Sequence, residues 1–202
     1  MKKVGKSAVQ CASKKIEEVL IQVALRIAKR GEGALFVVGK VEYKPMINQS
    51  VPPFKAVENL KLLESLALMD GAVIINCSGF VEAYGVMIKS RRTFKDFGTR
   101  HSAAFSAAVG DNLVVIVSEE DKKVKILKKG KMVMQIDALQ RNVEQSVPAA
   151  VKVLETVGAG TVGAIGTSLL IPGFGLALLP GIIVFGSVYH LAKIFAKKEK
   201  KK

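Results

Sequence analysis

Apolar residues recur at helical spacing near the start of the chain. Ile16, Val19, Leu20, Val23 and Ile27 lie three or four positions apart, with charged residues between them, and Gly31 follows Arg30 as a stop signal. The pattern predicts an amphipathic helix. We assign residues 1–30 to this N-terminal segment and expect its apolar face to pack on the domain that follows.

Three short apolar runs predict buried strands. They are rich in β-branched residues, and each is too short for a buried helix. The runs cover residues 34–39, 72–76 and 113–118.

Helical patterns lie between these strands. Pro52-Pro53 forces an extended lead-in to a helix predicted over roughly Phe54–Ala67. Small apolar residues from His101 onward predict a second packed helix, closed by Gly110. Because strands alternate with helices, the predicted class is α/β.

A hairpin is predicted to complete this domain. Lys123–Leu127 and Lys131–Ile136 show period-two alternation on either side of Lys128-Lys129-Gly130. We expect the compact domain to end near Asp137 and place it at residues 31–140.

The composition changes after Pro148. Residues 156–190 contain no Asp, Glu, Lys or Arg. A single helix of that length would be roughly 52 Å long, against about 30 Å for the hydrocarbon core of a bilayer, and Pro172-Gly173 interrupts it. We therefore predict a membrane-associated helical hairpin over residues 147–196.

The hydrophobic pattern does not determine how deeply this hairpin enters the membrane. Its arms, about Ala149–Ile171 and Leu176–Ala196, are compatible with two full spans or with a shallower re-entrant hairpin. The alternative is a buried helical hairpin, or an oligomer contact, in a soluble protein.

Positive charge is concentrated at the two ends of the chain. Of the net charge of +14, residues 1–30 carry +6 and residues 193–202 carry +5. The small remainder disfavours nucleic acid as a partner. The Lys-rich tail, residues 197–202, is suited to anionic lipid, and charged flanks on both sides of a hairpin predict that the domain lies on the cytoplasmic side of a membrane.

The two cysteines give no functional signal. Cys11 and Cys77 have no CxxC spacing and no nearby histidine, so neither a zinc site nor a disulfide framework is indicated.

Three segments carry candidate chemistry. Residues 97–104 pass from a glycine into a helix start with Arg100 and His101 at its mouth, which is a natural phosphate site. Asp70-Gly71-Ala72 precedes a buried strand, and Ser118-Glu119-Glu120 ends another. Carboxylates beside a phosphate site indicate a nucleotide with Mg²⁺ or Mn²⁺. Taken singly, each segment is also compatible with an ordinary helix cap, turn or solvated strand end.

At these residues the sequence resembles the diadenylate cyclase (DAC) domain, a module also found at the start of the DNA-integrity scanning protein. The matching segments, which occur in order within residues 14–137, are residues 33–39, 70–72, 98–104 and 118–120. The resemblance implies a mixed central β-sheet flanked by helices. It also implies condensation of two ATP into cyclic di-AMP and two pyrophosphates with Mg²⁺ or Mn²⁺, in a homodimer whose subunits meet face to face.

The resemblance also implies roles for individual residues. Asp70, Arg100 and His101 are expected to be catalytic, and Asp70 and Glu119 to bind metal. One position departs from the family, since Ser102 stands where the family usually has a third basic residue. The expected ATP-binding residues are Gly71, Ala72, Gly98, Thr99, Arg100, His101 and Ser118.

The predicted function is therefore a membrane-anchored diadenylate cyclase. The first alternative is a nucleotide-binding or cyclic-dinucleotide-binding module on a membrane that has lost catalysis through Ser102. The second is a non-enzymatic membrane protein that acts through its Gly-rich hairpin.

Overall fold

A computed structural model of the chain describes residues 12–89, 99–158 and 181–184. The helices are α1 Lys14–Lys29, α2 Leu60–Ala67, α3 Thr99–Ala107 and α4 Val147–Gly158, with a 3-10 turn at Val143–Ser146. The strands are β1 Ala34–Val38, β2 Tyr43–Pro45, β3 Phe54–Lys55, β4 Ala72–Ile75, β5 Phe80–Ile88, β6 Leu113–Ser118, β7 Lys123–Lys128, β8 Lys131–Asp137 and β9 Ile182–Val184.

The described strands form one mixed sheet in the order β2-β5-β4-β1-β6-β7-β8-β9, with β3 pairing β5. Among the described strands, only β1 and β4 pair in parallel, with Phe36 opposite Val73. The remaining pairs are antiparallel. The predicted α/β class with a mixed central sheet is confirmed.

Helices cover both faces of the sheet. Alternate residues of β1 point to opposite faces: Phe36 packs in the larger core with α1, α2 and α4. Val37 packs in a smaller core with α3. Of the described helices, three therefore pack on one face of the sheet and α3 packs on the other.

The predicted amphipathic helix is confirmed as α1. The Ser13 hydroxyl caps it by accepting a hydrogen bond from the Ile16 amide at 3.4 Å. Its buried face also carries Glu17, whose carboxylate accepts a hydrogen bond from the Lys128 ammonium at 2.7 Å. This pair ties α1 to β7 inside the core.

The three predicted core strands and the hairpin are confirmed as β1, β4, β6 and β7–β8. Lys129 and Gly130 both have positive φ angles, of 51° and 70°. Two such residues match the two-residue turn that follows the right-handed twist of paired strands.

The helix predicted over Phe54–Ala67 is shorter than expected. Phe54 and Lys55 form β3 opposite Val81 and Phe80, and the helix begins only at Leu60. β5, Phe80–Ile88, was not predicted from the sequence, and pairing with β5 holds Phe54 in an extended conformation.

The folded core includes residues beyond Asp137, where the sequence was expected to leave the compact domain. The buried face of α4, with Val147, Val151 and Leu154 each 1% exposed, packs in the same core as α1. Ile182–Val184, placed in the second arm of the hairpin, is instead a strand that pairs with β8. The rest of the predicted hairpin and the Lys-rich tail lie outside the described residues. No described helix is both long enough and apolar enough to span a bilayer.

The chain nevertheless contains a disulfide bond. Cys77, just after β4, is disulfide-bonded.

The mixed topology brings distant segments to one edge of the sheet. Because β1 and β4 are parallel, both start at this edge. The antiparallel strands β5 and β6 end there, with Val86 opposite Ala72 and Val117 opposite Ala34. Residues before β1 and β4 therefore lie beside residues after β6.

Candidate active site

A cavity of about 920 Å³ opens at this edge, on the α3 face of the sheet. It is lined by the start of β4, the end of β5, the start of α3 and the end of β6. The lining residues are Leu35, Met46, Asp70, Gly71, Ala72, Val86, Met87, Ile88, Thr99, Arg100, His101, Ser102, Ala103, Val117, Ser118, Glu119 and Glu120.

Three segments predicted from the sequence thus line one cavity. Residues 70–72, 99–101 and 118–120 all contribute to its wall, although they are separated by long stretches of chain. Gly98, the remaining predicted ATP-binding residue, lies outside the described residues. The structure brings the other predicted site residues together.

Arg100 and Glu119 form an ion pair in the cavity wall. The Arg100 Nη1 atom lies 3.5 Å from Glu119 Oε2, and the two side chains are 34% and 60% exposed. A Cβ atom on Gly33 would overlap the Arg100 guanidinium. The bare backbone at Gly33 therefore makes room for this arginine beside the start of β1.

A second ion pair, between Lys125 and Asp121, lies next to His101. Lys125 on β7 places its Nζ atom 3.2 Å from His101 Nε2 and 2.9 Å from Asp121 Oδ2. Burial lowers the pKa of His101 below its ordinary value, and the Lys125 ammonium lowers it further. The Asp121 and Glu120 carboxylates oppose this shift, while Arg100 adds to it.

Asp121 is held by neighbours on both sides. Burial raises the pKa of its carboxyl, but hydrogen bonds from Lys125 and from the Ser118 hydroxyl outweigh this effect, so the pKa is lowered. Ser118 is itself 5% exposed. The end of β6 and the start of β7 are thereby fixed against each other behind the cavity.

Gly71 has a structural reason to be a glycine. Its φ angle is +103°, and a Cβ atom there would lie 2.7 Å from the backbone nitrogen and oxygen of Val86. The structure shows that the backbone of β5 takes the space at Gly71, although Gly71 still lines the cavity.

Ser102 is part of the cavity wall and is 6% exposed. Its carbonyl oxygen accepts a hydrogen bond from the Ser106 hydroxyl at 2.9 Å, one turn along α3. The position that departs from the family pattern therefore faces the same cavity as Arg100 and His101.

Sequence reasoning missed several residues of this site. Lys125 and Asp121 received no role, because nothing in the chain order indicates that β7 passes behind α3. The apolar lining residues Met46 and Met87, which are 47% and 52% exposed, were also missed.

Two carboxylates of the cavity could hold a divalent metal. Across the described ranges, no three His, Cys, Asp or Glu residues group together as a metal site. Asp70 and Glu119 do line one cavity, and Mg²⁺ commonly uses one or two carboxylates completed by substrate phosphates and water. The side chains fit a metal that arrives with a phosphate ligand.

Comparisons with known proteins identify the family. Residues 22–132 match the DAC family, described as the DisA bacterial checkpoint controller nucleotide-binding domain. A diadenylate cyclase from Haloferax volcanii is 31% identical over 138 residues, which cover 58% of this chain and 51% of that protein. The chain thus spans about half the length of this relative.

Two solved structures are also similar. A hypothetical membrane spanning protein from Bacillus cereus is 25% identical, with a TM-score of 0.44 over 56% of this chain and 60% of that one. A double mutant of DacA from Staphylococcus aureus is 26% identical, with a TM-score of 0.45 over 58% of this chain and 84% of that one.

The matched region contains β1, β4, α3 and β6, which are the elements that build the cavity. The chain belongs to the DAC family. The resemblance predicted from the sequence is confirmed.

Proposed function

We propose that this protein is a diadenylate cyclase that condenses two ATP into cyclic di-AMP and two pyrophosphates. The observation that carries the proposal is the single cavity that Asp70, Arg100 and Glu119 line from separate segments. Membership of the DAC family and the name of the Haloferax volcanii relative support it. The cavity is also within the size range of small-molecule and cofactor sites.

In the proposed reaction each 3′-hydroxyl oxygen attacks the α-phosphorus of the other ATP. The bond from that phosphorus to the oxygen bridging to the β-phosphate breaks, and pyrophosphate leaves. Asp70 is proposed to accept the hydroxyl proton. Arg100 and His101, at the start of α3, are proposed to hold the triphosphate, because helix N-termini, hydrogen-bond donors and the Arg100 cation all stabilise phosphate charge.

A divalent cation, Mg²⁺ or Mn²⁺, is proposed to neutralise phosphate charge when bound. Asp70 and Glu119 would hold it from the protein side. Thr99 and Ser118 are proposed to complete the phosphate contacts, and Ala72 and Gly71 to lie close to the nucleotide.

Two chains are proposed to act together. The reaction needs two nucleotides whose hydroxyl and phosphate groups face each other, and each chain contributes one such cavity. We propose a homodimer in which the two cavities meet face to face. No nucleic acid partner is proposed.

Membrane association is the second part of the proposal. The apolar residues of the segment 159–180, together with the Lys-rich tail, are proposed to bind lipid on the cytoplasmic side. The flanks of this segment, α4 and β9, belong to the folded domain. The proposed membrane segment is therefore shorter than the predicted hairpin of residues 147–196.

The test is to incubate the full chain in detergent with ATP and Mg²⁺ or Mn²⁺ and to detect cyclic di-AMP by chromatography. Asp70→Asn and Arg100→Ala are expected to abolish turnover while leaving the fold intact. The matched controls are Asp111→Asn and Arg141→Ala, which change exposed residues outside the cavity.

The results separate the two main candidates. Product from the wild type, lost in the two cavity variants alone, supports the cyclase. ATP binding without product would favour the nucleotide-binding module, with Ser102 in the cavity wall as the departure that explains it. Wild-type rates in Asp70→Asn would remove the site assignment.

A further inference from the structure

The contact between Lys125 and His101 indicates how the histidine is held in the site. Its catalytic consequence rests on the proposed function. Lys125 extends from β7 and is 12% exposed at its side chain. Its Nζ atom contacts His101 Nε2 at 3.2 Å and Asp121 Oδ2 at 2.9 Å. Lys125 itself is absent from the cavity lining, so it reaches the site only through His101.

The chemistry of the two groups fixes the direction of this hydrogen bond. A lysine ammonium has three N–H donors and no acceptor. The salt bridge between Lys125 and the Asp121 carboxylate is expected of a lysine in its charged, ammonium form. His101 Nε2 must therefore accept, which requires that this nitrogen carries no proton.

A neutral imidazole carries one proton, so an accepting Nε2 places it on Nδ1. Protonating both nitrogens would put a second cation in contact with Lys125. Among the described residues, the charged groups around the ring are Arg100 on α3, Glu120 and Asp121 after β6, and Lys125 on β7. Their combined effect with burial keeps the pKa of His101 below its ordinary value.

We propose that Lys125 is a positioning residue that holds His101 as a neutral imidazole protonated at Nδ1, with Asp121 anchoring the lysine. Because the ring is neutral, the positive charge at the mouth of α3 comes from Arg100. The proton arrangement of the ring is set before any nucleotide binds, which lowers the cost of organising the site.

The direct test measures the protonation state of His101 in the full chain in detergent. The measurement is ¹⁵N-detected NMR of histidine-labelled protein at pH 7.5. The chain has two histidines, so the His190→Gln variant identifies the His101 signals. The expected spectrum has a protonated Nδ1 and an unprotonated Nε2. A protonated Nε2 in the wild type would overturn the proposal without any other variant being needed.

Variants of Lys125 give the second readout. Lys125→Met is expected to redistribute the proton between the two nitrogens and to raise the pKa of His101. Lys125→Arg keeps a donor and is expected to restore the Nδ1-protonated ring. Lys123→Met, two residues earlier on the same strand, is the matched control and is expected to leave the His101 spectrum unchanged.

Kinetics then connect the arrangement to the proposed reaction. Lys125→Met is expected to lower kcat by about tenfold, the low end of the loss seen when the partner that orients a functional histidine is removed. The acid side of its pH–rate profile is expected to move to higher pH. An unchanged spectrum and pH profile in Lys125→Met would refute the positioning role.

Failure of the proposed function is distinguishable from failure of this inference. A wild type with the expected His101 spectrum but no cyclic di-AMP contradicts the cyclase and leaves the Lys125 contact supported. A wild type that makes product but has Nε2 protonated contradicts the Lys125 role alone.

Discussion

Gly33 lies just before β1, where the absence of a side chain leaves space for another residue. The Arg100 guanidinium occupies that space and pairs with Glu119 across it. The position of a charged group in the cavity thus depends on a residue that does not line the cavity.

We expect Gly33→Ala to displace Arg100 and to lower kcat/KM by about 100-fold, since a shift of about 1 Å in a reacting group can have that effect. The free energy of unfolding should change by less than about 1 kcal/mol, because the atom displaced is the flexible end of a side chain. Cyclic di-AMP formation and urea denaturation measure the two effects.

Glu32→Ala is the control for this substitution, because Glu32 is exposed and adjacent in sequence. It should leave both quantities unchanged. Full activity in Gly33→Ala would mean that the location of Arg100 against Gly33 does not matter for turnover.

The lowered pKa of His101 predicts how stability depends on pH. Below about pH 6.5, the ordinary value, the unfolded chain binds a proton at His101 that the folded chain does not bind. The free energy of unfolding should therefore be highest above pH 6.5 and fall as the pH decreases from 6.5 through the folded pKa. Urea denaturation at several pH values measures this decrease.

His101→Gln should remove this part of the pH dependence, because glutamine does not titrate. His190→Gln serves as the comparison. If His101→Gln lost stability over the same pH interval as the wild type, the titrating group would lie elsewhere.

At the scale of elements, α4 extends the domain beyond the boundary that the sequence suggested. Its buried residues pack on α1, and Lys128 contacts the Leu154 carbonyl at 3.5 Å as well as Glu17. The apolar composition of α4 was attributed to a membrane segment. Apolar periodicity alone does not distinguish packing on a protein core from packing in lipid.

We expect Leu154→Ala to reduce the free energy of unfolding by about 2–5 kcal/mol, because it removes a fully buried side chain. Activity per folded molecule should be unchanged, since α4 and the cavity lie on opposite faces of the sheet. Chemical denaturation measures the loss.

The exposed Gln145→Ala is the matched control and should be neutral. A stability loss in Leu154→Ala no larger than that of the control would show that α4 is not docked on the core.

The elements also show which features the sequence could predict. β1, β4 and β6 were recognisable because buried central strands are continuous apolar runs. The short β2 and β3 were missed because they have no such run and exist only through pairing with β5. The motif residues were predicted together, but the position of Lys125 behind His101 depends on strand order, which no local pattern encodes.

At the scale of the whole molecule, the charge at the C-terminus predicts lipid selectivity. Residues 197–202 comprise five lysines and one glutamate, and each lysine near an anionic surface is worth about 1 kcal/mol. Removing these residues should weaken binding to phosphatidylserine-containing vesicles and reduce the salt dependence of that binding. Vesicle flotation measures both.

Binding to neutral vesicles should be the same for the shortened and full chains, because the apolar segment is retained. Equal flotation of the two chains with anionic vesicles would show that the tail does not contribute to lipid binding.

The antiparallel pairing of β1 with β6 links the register of the sheet to the composition of the cavity. Ala34 lies opposite Val117, which places Gly33 next to Ser118. A one-residue slip would turn every β6 side chain to the opposite face. Single-residue insertions or deletions within β6 should therefore disrupt the cavity far more than the same changes in the turn before it. Natural length variation in this part of the chain should be confined to the α3–β6 connection.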